Sequence, residues 1–238
     1  MKRPLRRLTV LASATAAALA ALISPPAASA AQAADEFADC PSLPADARPL
    51  TWKCYVLTAE DTLIGVSLGR MHAHTKEPIR LTVAQGSLTN GKTVAKLGAL
   101  RANPIPFVTG VPGTPFEVPH PTGWKLEITP TGMIEPGILV PHKLGVTARI
   151  IGDGLGDSCR VGSSSRPIVI DPVVNWALPW VSNGKVGTRM KVADIVYSLP
   201  IATGCNGKDF TVNQLLGLPA NSVSNQFQVT WTMISKRY

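Results

Sequence analysis

His72-Ala73-His74 is the strongest metal-ligating pattern in the chain. On a β-strand, residues two apart project from one face, so both imidazoles can reach one ion. Zinc needs a third ligand and usually a fourth. His120 and His142 complete the count of histidines, and nothing in their spacing brings them near. Two exposed histidines in a polar turn satisfy the same pattern. His72 and His74 are therefore carried as a candidate metal pair, and no cofactor is expected.

Asp153 and Asp157 sit in a Gly-rich turn that could offer carboxylate and backbone oxygens to calcium. The remaining ligands of a calcium loop, above all its distal Glu, are missing. An Asp/Gly turn that bonds its own backbone explains the residues equally. Ser163-Ser164-Ser165 carries neither the Gly-x-Ser-x-Gly elbow nor an S-x-x-K pattern. A serine triad is defined by geometry, and spacing supplies none here. The 15 acids are scattered, so no pair of carboxylates stands out for glycoside hydrolysis. No catalytic residue is assigned.

Four tryptophans could build an aromatic platform: Trp124, Trp176, Trp180 and Trp231. Trp124 and Trp231 fall on apolar strand faces and read as core. Trp176 and Trp180 are four apart in a Pro-containing segment and read as surface or sheet edge. They are the candidate ligand-binding pair.

The elements that must position these residues begin after a leader. Lys2, Arg3, Arg6 and Arg7 precede an apolar run from Leu8 to Ile23, and Ala28-Ser29-Ala30 follows two prolines. That order reads as a secretory signal peptide over residues 1–30, cut after Ala30. The apolar run is shorter than the ~20 residues of a spanning helix. No second such run follows, so the mature chain is expected to have no transmembrane segment. Residues 31–39 read as a flexible leader, and 40–238 as one β-rich domain. Four of the 23 basic residues and none of the 15 acids lie in the signal, so the net charge drops from +8 to +4 once it is removed. Scattered charge of that size favours solubility and gives no basic stripe for nucleic acid.

Cys40 and Cys54 bracket a short Pro-rich stretch in a chain bound for an oxidising space, which favours a disulfide between them. By counting alone, four cysteines allow three pairings.

Alternation of period two marks strands at Trp52–Leu57, Thr62–Leu68, Pro78–Ala84, Thr93–Leu100, Trp124–Pro130, Gly145–Ile151 and Asn225–Ile234. Arg189–Leu199 reads as a strand that breaks near Asp194. Asn90-Gly91 and Ser182-Asn183-Gly184 read as turns. Arg101–Pro121 carries six prolines and reads as an extended connector, an edge or an inter-sheet crossing rather than a central strand. Asp209–Leu216 is the one short helix, with Asp209 as its cap and Gly217 as its end. Many short strands in this length predict a mainly β chain: an antiparallel β-sandwich-like single domain with one short C-terminal helix.

Gly152–Ser163 (GDGLGDSCRVGS) resembles a motif of exported actinobacterial proteins of unknown function. There a strand runs into Asn-Pro-Leu-Leu-Gly, two residues, Cys-Tyr-Ile-Gly-Ser and a Pro-Ile strand. Leu155, Gly156, Cys159, Val161, Gly162, Ser163, Pro167 and Ile168 match, while Arg160 replaces the aromatic and Asp153-Gly154 replaces Asn-Pro. Cys40-Pro41, Trp52-Lys53-Cys54, Ile79–Thr82, Cys205 and Gly217-Leu218-Pro219 agree in order. The resemblance implies a shared fold and export, and brings no activity. Order and its spacing favour the disulfides Cys40–Cys54 and Cys159–Cys205.

The expected function is that of a secreted, non-enzymatic binding or structural protein, extracellular or loosely associated with the cell wall. Its partner is unknown, with a cell-envelope component or an extracellular ligand in view and nucleic acid excluded. An extracellular hydrolase of wall or other polymer is the competing expectation.

Overall fold

The computed structural model describes residues 36–59, 64–138, 141–222 and 225–238. The expected signal peptide and residues 31–35 of the leader lie outside them, as do Thr62 and Leu63 of the second expected strand. Phe37–Tyr238 forms one compact unit.

In chain order the strands are β1 (Lys53–Ala59), β2 (Ile64–Leu68), β3 (Met71–Thr75), β4 (Ile79–Ser87), β5 (Thr93–Arg101), β6 (Ile105–Thr109), β7 (Val118–Pro119), β8 (Lys125–Glu135), β9 (Lys143–Ile151), β10 (Arg160–Val161), β11 (Ile168–Ile170), β12 (Val173–Ser182), β13 (Lys185–Asp194), β14 (Ala202–Thr203) and β15 (Phe227–Arg237). Helix α1 (Asp209–Leu216) precedes β15. Every pairing is antiparallel, and the strands build an open sandwich. One sheet runs β12-β13-β15-β1-β4-β5, with β2 and β3 branching from the start of β15. The other is built on β8 and β9, with β10, β11 and β14 outside them.

The period-two pattern is visible in the burial. Val229, Trp231 and Met233 of β15 face inward and are buried, while Thr230 and Thr232 between them face out. The same rule buries Val146, Ala148 and Ile150 of β9 against them across the sandwich.

Three segments differ from the sequence reading. The polar stretch between β2 and β4 is a strand, β3, because its apolar Met71 and Ala73 fill the core between histidines. The Pro-rich connector is the inter-sheet crossing among its expected readings, but it also holds a strand paired on both sides, which its prolines argue against. Its β6 pairs with β3 on one side and with β7 and then β8 on the other, so it is the crossing that links the two sheets. Pro106 is itself in register with Lys125, and the neighbouring Phe107 N–H makes the bond to the Trp124 carbonyl at 3.0 Å. The leader is anchored from Phe37 onward. Arg101 donates from Nε and Nη2 to the Asp39 carboxylate at 2.5 and 2.6 Å, and Lys236 sits 4.9 Å over the Phe37 ring.

Helix α1 has the expected residues, but Asp209 is its first residue and not its cap. Its Oδ1 accepts the Cys205 N–H at 2.6 Å, which fixes the loop that holds the cysteine. Gly217 ends the helix in the left-handed conformation, where a side chain would be strained and would strike Arg70. Disulfides join Cys40 to Cys54 and Cys159 to Cys205, leaving no free cysteine. No helix among the described residues is long and apolar enough to cross a membrane.

Candidate functional site

Strand β3 puts His72 and His74 on one face, as their spacing requires, but their surroundings differ. His72 is exposed. It lies directly opposite Ser67 of β2, and its Nδ1 is 2.9 Å from the Ser67 hydroxyl. The pair borders a polar cleft of about 190 Å³ with Gln226, Gln228 and Pro112. Ser67 itself is only 4% exposed. His74 is buried under the Gly110–Val118 strap, where its Nδ1 comes within 2.6 Å of Glu117 Oε2 without the alignment of a hydrogen bond. Its Nε2 has no partner among the described residues. Burial pushes the Glu117 carboxyl up, but the Gly113 N–H and the His74 ring outweigh it and hold the group below the usual carboxylate range.

His120 bonds to Thr122 at 2.9 Å, and His142 lies 3.1 Å from Asp171. Neither is brought to His72 or His74 as a ligand. Among the described residues no three His, Cys, Asp or Glu side chains cluster to hold a metal ion. Asp153 and Asp157 are exposed, and the nearest cation to Asp157 is Arg149 at 3.9 Å. Ser163 accepts the Arg166 N–H, so the serine run closes a turn.

Trp176 and Trp180 lie on β12, which among the described residues pairs only with β13 and so forms the edge of its sheet. Trp176 stands opposite Lys191, Leu178 opposite Arg189 and Trp180 opposite Gly187, all on the outer face. Ala177, Pro179 and Val181 take the other face. The ribbon leaves the sandwich as it goes. Met190 and Val192 at its root are buried, whereas Val181 and Val186 at its tip are 70% and 74% exposed. Trp124 and Trp231 are core residues, and so is Trp52, whose Nε1 donates to the Ser87 carbonyl at 3.0 Å.

Between the sheets lies a cavity of about 80 Å³. Its walls are Leu57, Leu81, Val192, Val229 and Trp231 of the first sheet and Ile128, Leu144, Val146 and Ile170 of the second. All of these present carbon only. Half-buried Leu100, Ile128, Leu144 and Phe227 mark where it nears the surface. Interiors are normally packed to the density of organic crystals, with few voids larger than a water. A void so nearly free of polar groups holds water poorly, because a water inside would find almost no hydrogen-bond partner.

The sequence reading missed this cavity and the Ser67–His72 and His74–Glu117 pairs. Cross-strand register makes the first pair, and the fold of the strap over β3 makes the second. The alternation of β1, β9 and β15 signalled a carbon-lined interior but not a gap in it. Comparison with protein-family models, curated proteins and solved structures finds no match.

Proposed function

We propose that this is an exported, non-enzymatic binding protein whose inter-sheet cavity takes the end of an apolar chain. The carbon-lined cavity carries the reading. A site with no polar group cannot orient a sugar, a peptide or a charged substrate for reaction. It rewards only removal of apolar surface from water, at about 0.8 kcal/mol per methylene buried. The volume is below the ~150 Å³ that admits benzene in an engineered cavity, so an alkyl tip fits better than a ring. The two disulfides suit an oxidising extracellular space or cell envelope, where they persist.

Trp231 lines the cavity and reports on it. An alkyl ligand carrying bromine near its end should quench Trp231 emission in vesicle-free buffer, and Val146→Phe, which fills the void, should abolish that quenching. Quenching that survives the filled cavity, or none with any chain length, would overturn the proposal.

The hydrolase reading has one observation in its favour, the Ser67–His72 pair at the polar cleft. The buried serine counts against it, and among the described residues no carboxylate contacts His72 to orient it. Ester or peptide turnover lost in Ser67→Ala would make it the better account.

A further inference from the structure

The β12–β13 ribbon has properties that the cavity does not use. Residues 173–193 contain Lys185, Arg189 and Lys191 and no acid. Asp194, just beyond, is buried and accepts the backbone N–H groups of Asp171 and Val196. The outer face continues onto Thr230 and Thr232 of β15, which add no acid to it. The outer face of the ribbon is therefore cationic, and its apolar side chains stand on both faces: Trp176 and Leu178 outside, Val181 and Val186 on the reverse of the tip. Leu178 is 60% exposed.

We infer that this ribbon docks the protein on an anionic lipid surface. Tryptophan, with an apolar body and one N–H, favours the headgroup level of a bilayer. Lysine and arginine beside it are drawn to anionic headgroups. Apolar groups on both faces suit a tip that enters the interface, where either face meets acyl chain. A sugar-stacking platform would need apolar character on one face alone.

A second copy of the chain fits less well. Pairing two β12 edges would bring two cationic ribbons together. The ladder would also be interrupted by the bulge between Val174 and Trp176 and by Pro179, which has no N–H to give.

The test uses oxidised Phe37–Tyr238, which carries its own core and both disulfides. It is mixed with vesicles of phosphatidylcholine alone or with phosphatidylglycerol, and bound protein is read by co-sedimentation and by tryptophan emission. Binding should require phosphatidylglycerol, weaken with salt, and shift the emission to the blue. R189E/K191E should weaken it by at least ~10-fold, since each cation near such a surface counts separately. W176S/L178S should remove the blue shift. Both pairs include side chains exposed on the ribbon, and circular dichroism confirms folding; if one variant fails to fold, the other decides. Equal binding to both vesicle types, or binding that survives both variants, overturns the inference. So does dimerisation through the edge without vesicle binding, or binding to a soluble polyanion only. The cavity is probed without vesicles, so either idea can fail alone.

Discussion

Two neighbouring stretches, Leu155–Ile170 and Val173–Asp194, are both rich in β-branched residues and turns, yet they meet opposite fates. In the first, Leu155, Cys159 and Val161 are all buried. The Cys159 carbonyl accepts the Ile150 N–H at 2.9 Å, and the disulfide ties the stretch to the loop before α1. In the second, Met190 and Val192 at the root are buried, but Val173, Leu178, Val181 and Val186 stay wet. The difference teaches that burial here is set by what lies across the sandwich. Short strands β10 and β11 have β9 beside them and the core beneath. The ten-residue β12 has one neighbour and, at its tip, nothing beneath.

The largest effect should come from unpinning the first stretch. Cys159→Ala/Cys205→Ala opens a loop of 46 residues and should cost about 4 kcal/mol in the chain-entropy model, read as the shift in denaturant midpoint against the oxidised protein. A cost under 1 kcal/mol would mean that packing, not the staple, holds it. Leu155→Ala should cost about 3 kcal/mol, as a fully buried leucine leaves a cavity.

Next comes Asn225. Its Oδ1 accepts the Gly69 N–H, and its Nδ2 donates to the Tyr197 and Asn221 carbonyls. Asn225→Ala strands those groups and should cost about 2 kcal/mol by equilibrium unfolding. Leu178→Ser on the ribbon should fall within about 0.5 kcal/mol. A ribbon substitution as costly as Leu155→Ala would erase the contrast between the two stretches.

The strap over His74 gives an intermediate case that pH can resolve. The Glu117 carboxyl is lowered in the folded protein. Its contribution is therefore fully present above the ordinary carboxylate range and is lost as pH falls through the lowered folded value. Backbone amides of Gly110–Val118 should exchange faster in that acid window, and Glu117→Gln should remove the pH dependence. Unchanged exchange would show that the strap is held by its backbone bonds alone.

Part of this was legible in the residues. The alternation at Asn225–Ile234 gave β15 to within a few residues, because a half-buried strand writes its own period. The Asp209–Leu216 helix followed from a local stop at Gly217. Arg101–Pro121 was legible as an extended connector, an edge or an inter-sheet crossing. Six prolines exclude a helix, but the pairing of Ile105–Thr109 depends on strands distant in sequence. Met71–Thr75 was missed because its histidines obscured a short alternation.

The sequence by itself determined the class of elements, the antiparallel β architecture and a surface or edge position for Trp176 and Trp180. Those depend on local periods and on turn chemistry. The tertiary structure decided which apolar face is covered, where the sheets part to leave a cavity, and which of two equivalent histidines is buried. Strand alternation gives two faces and does not say what each one meets. That is settled by the reach of the opposite sheet and by the strap over His74, contacts between residues far apart in the chain.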